Sequence, residues 1–275
     1  MTIMSGLPVD VWLIVFRNLS SSPASIANLT LTCSSFRWLA QPLLFRNLDM
    51  PVFQSYFRFA SQEGAVAFSD DEAQLQFQRL QFWTNPRIAP SVKSCQIFPE
   101  SFPEVGHFHM DPPEIPAAHT DGTMVVIDAL LHALPTFVNL EELSLSHFDL
   151  TIQQGRQLVK NKIKSLSLFG CHVPAGDALH HSLRVDHLRI ESTSRTIGMT
   201  AGWLSAVQLD GLTSLDLCGP DDINSFWTSS CAYSMVSLRS IIVNIIYIRS
   251  SDSDHSFAVL ARLRACSRIS ENFEF

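Results

Sequence analysis

The chain has 275 residues, of which 46% are hydrophobic and 16% charged, and a formal net charge of −7. That length holds two domains or one elongated array, and the mild acidity without long charged runs excludes a nucleic-acid footprint. The longest late apolar run, Ile241 to Ile248, contains Asn244 and is far too short to span a bilayer.

The first element is read over LPVDVWLIVFRNL, Leu7 to Leu19. Pro8 suits a first helical turn, where an N–H is not needed, and Asp10 places negative charge near the helix N-terminus. Val11 to Phe16 are then six consecutive apolar side chains. A helix shows one stripe to its own core, so this run puts apolar groups on every face and calls for cover from a partner. Ser22-Pro23 starts a second helix, Ala24 to Leu31, with Ile26 and Leu29 on one side. Ser34 or Ser35 is expected to cap a third, SSFRWLAQ, limited by Pro42 and followed by the short apolar PLLFRNLDM. A unit of about fifty residues is marginal by itself.

Leu7-Pro8, the apolar helix ending at Phe16 and Leu19, Leu29, Cys33, Phe36 to Ala40 and Pro42 to Arg46 together resemble an F-box. The fuller string is similar to the F-box proteins abundant in mushroom-forming fungi. The resemblance covers residues 4–50. It implies docking on the Skp-type adaptor of SCF ubiquitin ligases, and through it on a cullin ligase. It further implies that Leu7 and Pro8 contact the adaptor, with Ile14, Phe16, Leu19 and Leu29 beside them. Phe36 and Trp38 are expected to anchor the third helix within the unit.

Residues 51–90 read as a helical linker. Its first part is PVFQSYFRFASQEG and its second DDEAQLQFQRLQFW, which Asp70 and Asp71 start and Asn85-Pro86 ends. Over 91–275 a self-similar pattern appears: apolar, two polar residues, apolar, polar, apolar. Its copies are Val92/Cys95/Ile97, Leu140/Leu143/Leu145, Ile163/Leu166/Leu168, Val185/Leu188/Ile190, Leu212/Leu215/Leu217 and Leu238/Ile241/Val243. The second apolar positions are 48, 23, 22, 27 and 26 residues apart. Leucine-rich repeats run at roughly 20–29 residues, and the first step is two periods or one enlarged by insertion. Cys171 falls where that repeat carries Asn or Cys. Helices for an outer layer are expected at Met124 to Leu134, Gln153 to Val159 and Phe257 to Ala265. An ordinary α/β domain is the competing reading. Phe273 to Phe275 resembles the start of a further strand, and since a solenoid calls for a closing repeat the array is expected to be incomplete at its C-terminus.

Chemistry-bearing clusters are weak. His107, His109, Asp111 and His119 lie in the Pro-rich segment 99–123, without a Cys pair or a helix to orient the rings, so a solvated loop is expected over a metal site. His172, His180, His181 and His187 are read as surface histidines. Lys160, Lys162 and Lys164 read as a solvated turn. No GxSxG elbow, Cys-His signature or phosphate loop occurs. The six cysteines, at 33, 95, 171, 218, 231 and 266, form no CxxC and suit free buried thiols in a reducing compartment. The opening MTIMSGLP carries no secretory pattern, and the Asn18 and Asn28 sequons fall in predicted helices.

The expectation is therefore an α/β protein: a small three-helix F-box over 1–50, then an α/β leucine-rich-repeat solenoid. It is expected to be a non-catalytic substrate receptor of an SCF-type ligase, with no cofactor, metal, nucleic acid or membrane, in cytoplasm, nucleus or both. The concave strand face would present Glu142, Ser144, Ser165, Ser167, His187, Arg189, Ser214 and Asp216 to a protein substrate. Two alternatives are a repeat-based scaffold without a ubiquitination role and a hydrolase-like, metal-binding enzyme formed by the loop at 99–123.

Overall fold

The computed structural model describes residues 9–19, 22–56, 64–66, 70–101, 121–147, 149–173, 179, 182–192, 199–218, 240–248 and 258–266. It begins with three helices, α1 (Val9–Asn18), α2 (Pro23–Thr32) and α3 (Ser34–Leu44). Their apolar stripes close over a core of Phe16, Ile26, Leu39 and Ala40. The ring of Phe36 meets those of Trp12 and Phe16 edge-on, at 4.8 and 5.4 Å. Two details differ from expectation. Cys33, not Ser34 or Ser35, caps α3, its Sγ accepting the Phe36 N–H at 3.4 Å. Pro42 does not end the helix: it sits in the last turn of α3, where its missing N–H costs a single bond. The next bond, from Phe45 N–H to the Gln41 carbonyl, forms at 3.1 Å.

Strands and helices then follow one another: β1 (Asn47–Tyr56), β2 (Gly64–Val66), α4 (Asp70–Trp83), β3 (Ser94–Ser101), α5 (Asp121–Ala133), β4 (Glu142–Ser146), α6 (Ile152–Val159), β5 (Ser165–Phe169), β6 (His187–Glu191), α7 (Met199–Ala206), β7 (Ser214–Cys218), β8 (Ser240–Ile248) and β9 (Ala258–Cys266). The chain is α/β, and the strands form one nine-stranded sheet in the order β2-β1-β3-β4-β5-β6-β7-β8-β9. From β1 through β8, leaving out β2, neighbouring strands are parallel; β2 and β9 pair antiparallel at the two edges.

Each apolar copy read in the sequence holds its place in the register. Cys95, Leu143, Leu166, Leu188, Leu215 and Ile241 align, as do Ile97, Leu145, Leu168, Ile190, Leu217 and Val243. A further copy precedes them. Phe45-x-x-Leu48-x-Met50 pairs Leu48 with Cys95 and Met50 with Ile97. Residues 51–90 are therefore not a helical linker throughout: α4 forms as expected, but 51–56 continue β1. Leu48, Met50 and Val52 are buried on alternate positions, a period of two that only a strand satisfies. The segment expected as a helix at Phe257 to Ala265 is also a strand, β9. Ala261-Arg262-Leu263-Arg264-Ala265 alternates too, and β8 offers it a backbone ladder along its whole length.

Where each strand begins, one carbonyl serves two amides of the next. Arg46 accepts from Lys93 and Ser94, Lys93 from Glu141 and Glu142, Glu141 from Lys164 and Ser165, Lys164 from Asp186 and His187, and Asp186 from Thr213 and Ser214, all at 2.8–3.1 Å. This repeated clamp sets the register of the parallel strands. One core runs beneath them, joining the strand leucines to Ala73 and Leu80 of α4, Ile127 and Leu130 of α5, Leu158 of α6 and Trp203 of α7. Gln154 ties two of the covering helices. It completes a capping box with Thr151 at the start of α6, and its Nε2 donates to Asp128 Oδ1 of α5 at 2.6 Å. The helices cover one face of the sheet. The other shows half-buried and exposed residues at alternate positions of β4, β5, β6 and β7.

Candidate functional site

Two surfaces stand out, one on the helical unit and one on the uncovered sheet face. On α1 the six apolar residues divide evenly. Trp12, Leu13 and Phe16 turn into the small core, while Val11, Ile14 and Val15 face outward. The outward set has i, i+3, i+4 spacing, one stripe opposite the buried one. Ile14 is 59% exposed, and Leu31 on α2 and Trp38 on α3 are exposed by 75% and 74%.

Of the proposed adaptor contacts, Leu7 and Pro8 lie outside the described residues. Ile14 is on the surface. Phe16 is not available as a contact: at 0% exposure it is the centre of the helical core. Leu19 and Leu29 are half-buried against that core. Trp38 is the reverse case, expected inside and found outside. The buried or packed positions of α3 are Phe36, Leu39, Ala40, Leu43 and Leu44, a stripe at helical spacing that leaves position 38 on the far side. That spacing can be read in the sequence and sets Trp38 on the side of α3 away from the core. The buried Trp12 Nε1 has no hydrogen-bond partner among the described residues.

The eight strand residues named from the sequence do share a surface. Parallel register sets Glu142, Ser165, His187 and Ser214 in one row and Ser144, Ser167, Arg189 and Asp216 in the next. Adjacent members are one strand spacing apart, about 4.8 Å. The same register extends the rows onto β3 and β1 through Ser94, Asn47, Gln96 and Asp49, positions not named from the sequence. Arg189 is the positive centre of its end of the face. Its Nη2 donates to Glu191 Oε2 at 3.2 Å, and its Nε stands 3.9 Å from Asp216 Oδ2. At the strand exits the His147 ring meets Phe169 edge-on at 4.5 Å. This surface is polar and mixed in charge.

The histidines and carboxylates weighed as metal ligands give no centre among the described residues, where no group of three or more His, Cys, Asp or Glu is placed to hold an ion. His107, His109, Asp111, His119, His180 and His181 lie outside the described residues. His172 is half-buried, its backbone N–H donating to Asp149 Oδ1 at 3.2 Å, and His187 is exposed on β6. Cys95, Cys171 and Cys218 are buried free thiols, whereas Cys33 is exposed, against the expectation for it. Burial, with the Asp49 carboxylate nearby, pushes the Cys95 thiol up from 9.0 to about 12. No helix among the described residues is long and apolar enough to cross a membrane. Comparison of the chain with protein-family models gives no match, and comparisons with curated proteins and with solved structures give none either.

Proposed function

We propose that the chain is a non-catalytic substrate-recognition subunit of an SCF-type ubiquitin ligase. In this reading the three-helix unit is an F-box that docks on a Skp-type adaptor. The parallel sheet is a leucine-rich-repeat array whose uncovered strand face receives a protein substrate. One observation carries the reading: α1 to α3 complete a core of their own and still hold Val11, Ile14, Val15, Leu31 and Trp38 in water. Apolar side chains left out by a unit this small favour a partner that buries them. The resemblance at residues 4–50 says which partner. Strand order that follows chain order from β3 to β9, with copies in register, supports the repeat reading of the remainder.

The mechanism is proximity. A substrate held on the strand face is brought near a ubiquitin carrier recruited through the adaptor, which raises the effective concentration of its lysines without chemistry in this chain. The test is binding of the full chain to a Skp-type adaptor. Wild type should bind, while Leu7→Asp and Ile14→Asp should weaken binding by at least about tenfold, or ~1.4 kcal/mol. Absence of wild-type binding, or equal binding by both variants, rejects the reading. Adaptor binding with unchanged ubiquitination of every captured partner favours the scaffold instead.

A further inference from the structure

The shared-carbonyl clamps bring Arg46, Lys93, Glu141, Lys164 and Asp186 to one line along the edge where the strands begin. Successive side chains start about 4.8 Å apart, so Arg46 to Lys164 spans about 14 Å. Their charges read plus, plus, minus, plus, minus. Lys164 Nζ binds Glu141 Oε1 at 3.0 Å. The Lys164 hydrogen bond and charge, with smaller contributions from the charges of Lys93 and Arg46, hold the Glu141 carboxyl below its usual range. Arg46 and Lys93 are exposed, and neither side chain has a hydrogen bond or ion pair among the described residues. Exposed Lys162 lies two residues before Lys164. Counting Glu142 beside Glu141, this edge holds four cations and three carboxylates, a small positive excess in a chain of net charge −7.

We infer that the strand-entry edge formed by Arg46, Lys93 and Lys164 is a docking strip for an acidic polypeptide segment. A stretch of about five extended residues covers the strip, at roughly 3.3 Å per residue. Carboxylates would lie over Arg46, Lys93 and Lys164, with a neutral or basic residue over Glu141. Nucleic acid fits the strip poorly. A phosphate track needs many cations and no carboxylate in its path, and here Glu141 and Asp186 interrupt a short row on an acidic protein. The strip lies one residue before the first row of the uncovered strand face, and the inference does not depend on adaptor binding.

The test is fluorescence anisotropy of a labelled oligo-glutamate peptide on the full chain. An oligo-lysine peptide and a single-stranded oligonucleotide serve as comparators, each titrated at two salt concentrations. Wild type should bind oligo-glutamate best and lose it as salt rises. The double variant Arg46→Glu with Lys93→Glu should bind at least about tenfold more weakly, a difference of ~1.4 kcal/mol. Glu141→Gln should bind more tightly, an opposite sign that unfolding cannot imitate. Unchanged binding in the double variant, weaker binding in Glu141→Gln, or preference for the oligonucleotide overturns the inference.

Discussion

The indole Nε1 of Trp203 donates to the main-chain carbonyl of Cys171 at 2.7 Å, across 32 residues of chain, and both residues are buried. This bond fastens α7 to the exit of β5 inside the core. Trp203→Phe removes a donor from a buried carbonyl and leaves part of the indole volume empty. The expected loss is about 2–4 kcal/mol, combining an unsatisfied polar group with a cavity. Denaturant unfolding checks it; a loss under about 0.5 kcal/mol, the range of surface substitutions, contradicts the packing described.

Phe16 and Ile14 lie two residues apart on α1 with opposite fates. Phe16→Ala should destabilise by about 3–5 kcal/mol, the usual range for a buried aromatic. Ile14→Asp should change stability within about 0.5 kcal/mol, because the side chain already stands in water. Thermal unfolding followed by circular dichroism separates the two. Equal losses would put Ile14 in the core and remove it from any interface.

Gly170 holds φ at 58°, and its N–H reaches the Glu191 carbonyl at 2.9 Å. Gly170→Ala must keep a left-handed backbone with a Cβ, at about 1–2 kcal/mol. Gly211 has ordinary φ and nothing near a Cβ, so Gly211→Ala should be neutral or stabilising by up to about 1 kcal/mol. Calorimetry on the pair reads the difference directly.

The strand pattern was legible because burial on one face writes a period of two into the sequence, and turn residues punctuate it. Leu143, Leu166, Leu188 and Leu215 needed no structure to be aligned. Phe45-Leu48-Met50 carries the same signature, but it overlaps the end of the helical unit, and Phe53 with Phe57 falls at a helix-like spacing that masked it. The segment at 258–266 failed for a related reason. Short alternating runs of Ala, Leu and Arg suit both periods, and only the free edge of β8 decides between them. On the helical unit, an all-apolar run such as Val11 to Phe16 hides which side is inside, since orientation comes from what α2 and α3 offer. The double rows of the open face were readable once the strands were, but the charged line at the strand entries depends on register across long loops.

The Cys95 thiol, raised to about 12, should stay unmodified when the native protein meets iodoacetamide at pH 8, while exposed Cys33 reacts. Site-resolved mass spectrometry tells them apart. Because the folded value lies above the ordinary 9.0, the proton's contribution to stability is whole below pH 9 and fades as pH climbs toward about 12. Labelling of Cys95 at the rate of Cys33 would show that β3 is not buried.

The depressed Glu141 carboxyl works in the other direction. Its contribution is present above the usual carboxylate range and is lost as pH falls through the lower folded value. The difference in melting temperature between wild type and Lys164→Met should therefore be seen at neutral pH and disappear in acid. High salt should also erase it, since both side chains are exposed. A difference that grows on acidification contradicts the pairing.

Within the sheet each strand after β1 leans on one that was made before it. Most pairings therefore join stretches only a few tens of residues apart, so little of the growing polypeptide must wait for a distant segment. A chain leaving the ribosome can add its strands one at a time, each new arrival finding its template already in place.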